Sequence, residues 1–119
     1  MNLSEHFTLE ELTASEIGAR KGIDNTPGPQ VQQNLVRLAK FLEEVRKVIG
    51  KPIMINSAYR SPEVNQAVGG VKTSQHCMGC AADIKVPGMT PDQVVRAIIA
   101  SKLQYDQLIR EFDAWTHVS

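Results

Sequence analysis

The sequence predicts an α+β fold in which helices pack on a mainly antiparallel sheet, and two observations predict it. Helical signals come first along the chain, strand signals come later, and the strands are joined by short connections. The 119 residues, 42% apolar and 22% charged, have the composition of a soluble globular protein. That length suits one domain, residues 1–119, with a real core and no room for a second. No internal repeat or low-complexity segment interrupts it.

Taken in order, Thr8-Leu9-Glu10-Glu11 reads as a capping box, so a short helix starts there. Residues 22–28, "GIDNTPG", are turn chemistry throughout. From Pro29 to Ile49, Val31, Leu35, Leu38, Phe41, Leu42, Val45 and Ile49 recur at three- and four-residue steps and predict a core helix, stopped by Gly50 and Pro52. Ile53-Met54-Ile55 predicts a short strand. Pro62 opens a single helical turn that Gly69-Gly70 closes, and Ala81 to Val86 predicts a second strand. Thr90 caps a helix with Pro91 in its first position and Val94, Val95, Ile98 and Ile99 facing inward. Two strands follow, Leu108 to Phe112 and Trp115 to Val118, with Asp113-Ala114 near the turn. The chain runs only two residues past His117. The last strand is therefore expected to find little to pair with, which leaves open a trimmed form or an edge partner gained by dimerisation, the chain being a monomer or a weak dimer.

Charge excludes some partners. Thirteen basic and thirteen acidic side chains cancel, and no run of Lys or Arg supplies the footprint that nucleic acid or anionic lipid requires. No stretch of about 18 apolar residues is present to insert in a membrane. The polar, acidic start "MNLSEHFTLEEL" lacks the apolar centre of a signal peptide, so the chain is expected to be cytoplasmic as synthesised.

The chemistry concentrates in "SQHCMGCAAD", residues 74–83. A zinc site needs three or four N, O or S ligands aimed at one point, and a catalytic one keeps a position open. His76 and Asp83 are separated mainly by small residues, which allow the close backbone approach of a compact metal centre, and His117 on the terminal strand can supply a third ligand. Spacing alone leaves two readings open, a metal site or satisfied structural polar residues.

The pattern Ser74-x-His76-x-x-Gly79-x-Ala81-x-Asp83 matches, at every defined position, the S-x-H-x-x-G-x-A-x-D motif of the M15 zinc peptidases. That family includes D-alanyl-D-alanine carboxypeptidases, vancomycin-resistance dipeptidases and phage endolysins. "INSAYRSPEVNQAVGG" and "YDQLIREFDAWTHVS" resemble two further blocks of it, and the opening "LSEHFTLEELTASEIGARKGIDNTP" is similar to the lead-in of small phage-type members, in the first subgroup of the family. The resemblance implies the hedgehog/DD-peptidase fold. It implies zinc as cofactor, His76, Asp83 and His117 as its ligands, and Arg60 as an arginine that binds substrate or steadies a developing oxyanion. It also implies a peptidoglycan stem peptide as substrate. The same fold and ligands occur in hedgehog signalling domains, so a silent zinc-stabilised binding module is the alternative.

Peptide hydrolysis also needs a carboxylate to take a proton from water and return it to the leaving amine. Glu111 and Asp113 are the candidates, because positions 111, 113, 115 and 117 of a continuous strand share one face. Glu111 reaches farther and falls in the "EF" of the terminal block. Many family members carry the acid three residues before the last histidine, where this chain has Ala114. Asp113 also reads as a turn residue.

Cys77 and Cys80 form a C-x-x-C, but a redox pair needs a helix start and nothing suggests a helix here. They read as small fillers, with a dithiol oxidoreductase as a further rival. Ser74 and Gln75 orient His76, touch substrate or cap the loop. Trp115 packs beside His117 or lines a groove, and His6 is a surface or packing histidine. The expected function is a zinc-dependent peptidase acting on bacterial cell-wall peptides, carboxypeptidase or endolysin-like, released to the wall as a phage or prophage lysin.

Overall fold

A computed structural model describes residues 1–70, 75–105, 107–111 and 115–119, together with their side chains except those of Arg110 and Glu111. The capping box at Thr8 forms as expected. The Glu11 amide donates to Thr8 Oγ1 at 3.1 Å and the Thr8 amide to Glu11 Oε1 at 3.2 Å, opening α1 (Leu9–Thr13). A second short helix, α2 (Glu16–Lys21), is absent from the sequence reading. Its signals are local: Ser15 Oγ accepts the Gly18 amide at 3.1 Å, and Gly22 ends it in the left-handed region at φ 67°. Six residues are too few to display a helical stripe, so only its caps could have revealed it.

Helix α3 (Pro29–Ile49) buries Leu35, Leu38, Ala39, Leu42 and Val45 and stops at Gly50. After β1 (Met54–Ser57) come α4 (Pro62–Ala67), a 3₁₀ turn at Gln75–Met78, β2 (Ala82–Lys85), α5 (Pro91–Ser101), β3 (Leu108–Glu111) and β4 (Trp115–Val118). The 3₁₀ turn corrects the expectation of no helix near the cysteines. Four residues carry no periodic signal, and Gly79, left-handed at φ 73°, ends the turn at once. In α5, Val94 and Ile98 are buried, but Ile99 is 55% exposed and Val95 only half-buried. The helix lies on α3, β3 and β4 along a narrow stripe four residues apart, and Ile99, rotated about 100° from Ile98, falls outside it.

The sheet is antiparallel with strand order β1-β2-β4-β3. Strand β4 is therefore internal, hydrogen-bonded to β2 on one side and β3 on the other. The expectation that the last strand lacks pairing fails because β4 inserts between its neighbours instead of adding to an edge.

Alternation along the strands separates two faces. Ala82, Ile84, Thr116 and Val118 are buried on the face that joins the core with Leu35, Leu38, Leu42, Val45, Val94 and Ile98. Asp83 and His117, directly paired across β2 and β4, stand on the other face. The core thus sets the register, since a one-residue slip would exchange these sets.

The amino-terminal segment is clasped to α3 by Glu43. Its Oε2 accepts from Ser4 Oγ at 2.5 Å and from the His6 amide at 2.6 Å, and its Oε1 lies 2.6 Å from His6 Nδ1. Burial opposes ionisation of Glu43, but the hydrogen bonds from Ser4 and His6 outweigh it and lower its pKa below 4.5. A lowered carboxyl stabilises the fold fully above the unfolded value and loses that effect as pH falls through the folded one. Glu43→Ala is accordingly expected to destabilise by about 2 kcal/mol at neutral pH, from loss of charge-assisted bonds. The deficit should shrink once the pH falls below 4.5. Denaturant titrations of both proteins across the acid range check this; a pH-independent difference would refute it.

Candidate metal centre and active site

The 3₁₀ turn brings His76 to the polar face of the sheet, where Asp83 and His117 already face each other. His117 Nδ1 lies 3.0 Å and His76 Nε2 3.4 Å from Asp83 Oδ1. One potential ligand atom from each residue lies within 4.8 Å of the others. A tetrahedral zinc with bonds of about 2.1 Å holds its ligand atoms about 3.4 Å apart, so one ion suits this spacing. The rings of His76 and His117 meet edge-on, with centroids 5.2 Å apart. All three residues are buried, at 2%, 8% and 8% exposure for His76, Asp83 and His117.

Burial pushes the Asp83 pKa up, yet the hydrogen bonds of His117 and then His76, with the charges of both rings, hold it at about 2. Asp83 is therefore a carboxylate at neutral pH, the form a metal requires. His76 Nδ1 lies 2.7 Å from the Ala58 carbonyl. A carbonyl only accepts, so Nδ1 carries a hydrogen and Nε2, whose proton a bound metal would displace, is the nitrogen directed toward Asp83 and His117. Two imidazoles and a carboxylate are the donor set of open zinc sites, and the residues fit the ion.

Neighbouring segments hold these groups in place. The His76 carbonyl accepts from the Arg60 amide at 3.1 Å and the Gly79 amide at 3.3 Å. Asn25 staples the loop after β1: its Nδ2 donates to the Thr13 and Tyr59 carbonyls at 2.8 and 3.1 Å, and its Oδ1 accepts the Ser61 amide at 2.7 Å. Gly79 is the tightest point. A Cβ there would lie 3.0 Å from Val31 Cγ1 and 3.1 Å from the Val31 carbonyl, at a φ of 73° that side chains rarely adopt. Gly79→Ala is expected to cost about 1–3 kcal/mol and to displace His76, with weaker metal binding as well as a lower melting temperature. Unchanged calorimetric titrations and melting would remove this role.

Beside the centre lies a cleft of ≈ 520 Å³ lined by Arg60, Asp83, Trp115, Asn56 and Ser57 of the sheet side and by Glu16 and Ile17 of α2 with its cap Ser15. The family model described as peptidase M15 matches residues 5–119. The chain belongs to the peptidase M15 family. M15 peptidases are metallopeptidases, and the His76, Asp83 and His117 cluster is where a metal could bind in this one. No curated protein matches the chain.

In this M15 chain, half-buried Arg60 and Trp115 stand at one cleft with Asp83, although sequence separates them widely. Glu111 pairs with Trp115 across β3 and β4, and Ile109 pairs with His117. Directly opposed residues share a face, so position 111 falls on the face of Trp115 and His117; its side chain is outside the described set. Asp113 and Ser74 lie outside the described residues. Burial raises the Cys77 thiol pKa while Arg60 lowers it less, the reverse of what a redox thiolate requires. His6 is engaged by Glu43, in the clasp that holds the amino-terminal segment to α3. No helix among the described residues is long and apolar enough to cross a membrane. The sequence reading missed Ala58, which acts through its backbone carbonyl, and Asn25, whose side-chain amide bonds backbone groups of distant segments that no local motif encodes.

Proposed function

We propose that this M15 peptidase is zinc-dependent and hydrolyses peptide bonds in peptidoglycan stem peptides, as a D-Ala-D-Ala carboxypeptidase or an endolysin-like endopeptidase. The observation that carries the reading is the convergence of His76, Asp83 and His117 within 4.8 Å beside an open cleft containing Arg60. His76, Asp83 and His117 would hold the ion. Zinc in such a site supplies Lewis acidity toward a carbonyl and makes water nucleophilic near neutral pH.

The remaining work falls to the chain. Arg60 presents a planar pair of donors suited to a peptide's terminal carboxylate or to charge developing on the scissile oxygen. Glu111 accepts a proton from the attacking water and delivers it to the departing amine, with Asp113 as the other candidate. Trp115 forms the cleft wall against which substrate packs. Access to the wall would follow release of the chain as a phage or prophage lysin.

The test is mass spectrometry of stem peptides after incubation of peptidoglycan with zinc-loaded protein, with a chelator-treated sample alongside. Defined fragments that appear only in the zinc-loaded sample identify the bond and support the peptidase. Loss of a single terminal residue marks a carboxypeptidase, and internal scission marks an endopeptidase. A protein that binds one zinc tightly and leaves every stem peptide intact would refute wall hydrolysis and favour the silent binding module.

A further inference from the structure

The two histidines of the centre present opposite nitrogens to it, Nε2 from His76 and Nδ1 from His117. For His76 the choice is made by the Ala58 carbonyl on Nδ1. For His117 the outer nitrogen, Nε2, lies 3.1 Å from Gln107 Oε1. An amide oxygen only accepts, so Nε2 carries a hydrogen, and Nδ1, 3.0 Å from Asp83 Oδ1, is the nitrogen that would give up its proton to ligate a metal. Gln107 is itself anchored, because its backbone carbonyl accepts the Ser119 amide at 3.1 Å just beyond the Leu108 and Val118 pair. That bond ties the residue before β3 to the residue after β4, with His117 one residue inside the pair. The same bond fixes the backbone from which the Gln107 side chain reaches His117 Nε2.

We propose that Gln107 is a positioning residue that selects the His117 tautomer and so aims Nδ1 at the metal; the inference rests on the zinc reading above. The partner is chemically distinct from a carboxylate. A neutral amide accepts the hydrogen without adding a second negative charge to the one that Asp83 brings to the three ligands. Without the acceptor, the ring of His117 would distribute between tautomers and between rotations about its Cβ–Cγ bond. The tautomer carrying hydrogen on Nδ1 cannot ligate from that atom. Partners of this outer kind typically change metal affinity about 10–100-fold when removed.

The experiment compares wild type with Gln107→Met, which keeps the length and loses the acceptor, and with Gln107→Glu, which keeps an acceptor. Zinc affinity is measured by competition with a chromophoric chelator, and long-range proton–nitrogen correlation spectra of the zinc-loaded proteins identify the protonated nitrogen of His117. The expected result is affinity lowered at least about tenfold in Gln107→Met, with recovery in Gln107→Glu. Nε2 of His117 should be protonated in wild type, with its signal broadened or displaced in Gln107→Met. The melting temperature of the metal-free forms separates this from a purely structural role: Gln107→Met should melt with wild type when zinc is absent and fall below it only when zinc is present.

Wild type that binds zinc no more tightly than Gln107→Met overturns the inference and leaves the zinc peptidase standing. Equal loss of affinity in Gln107→Met and Gln107→Glu also overturns it, since the acceptor would then be irrelevant. Wild type that binds no zinc at all overturns both readings together, because no metal is then present for His117 to address.

Discussion

Asp83→Ala is expected to lower zinc affinity by well over about 100-fold, because loss of an outer partner alone costs about 10–100-fold and Asp83 would be a ligand. Its carboxylate is the one anionic group in the cluster and lies within 3.4 Å of both imidazoles. Without it, two neutral rings would face a dication with no compensating charge. The effect should extend to stability through linkage, since a ligand that binds only the folded state stabilises by about 4.1 kcal/mol at a thousandfold excess over its dissociation constant. Wild type is therefore expected to melt several degrees higher with zinc than with a chelator, and Asp83→Ala to show no such difference. Differential scanning calorimetry in both conditions is the check. A zinc-dependent rise that persists in Asp83→Ala would place the ion elsewhere.

Glu111→Gln is expected to reduce kcat by about 10²–10⁴-fold while leaving zinc affinity near wild type, the range typical of a lost general base. Side-chain length is conserved and only proton affinity is removed, so binding and folding should be spared. The rationale is positional: residue 111 is opposed to Trp115, and Trp115 and His117 share one face of β4. Asp113→Asn provides the contrast, with an expected change smaller than the roughly 10²-fold minimum for a general base. Stopped assays of stem-peptide hydrolysis, with zinc content measured on the same samples, decide between them. A large loss in Asp113→Asn with an active Glu111→Gln would transfer the role to Asp113, and two active variants would require a base from elsewhere.

The motif around His76 was legible because its chemistry is dense and its spacing is short. His76, Gly79 and Asp83 fall within one stretch, and the glycine has a geometric cause in the Val31 carbonyl 3.1 Å from where a Cβ would stand. Long helices and capping boxes were legible for the same local reason, as α3 and the Thr8 and Thr90 caps illustrate. Helix α2 and the 3₁₀ turn were not, since each is shorter than the span over which an apolar stripe repeats. The inward assignment of Ile99 failed because periodicity locates an apolar face without saying how wide a neighbour covers it.

Two further results belong to tertiary structure. Strand parity placed residues 111 and 117 on one face by assuming a continuous strand, whereas the observed pairing reaches the same face through a hairpin, with Glu111 opposed to Trp115. The pairing of β4 between β2 and β3 could not be read from the strand itself, because strand order depends on which edges the core leaves available. By itself, then, the sequence determined the fold class and which residues have the chemistry to bind a metal. Only the folded chain decided that His76 and His117 turn different nitrogens toward Asp83, because the Ala58 carbonyl and the Gln107 amide that select them arrive from distant segments.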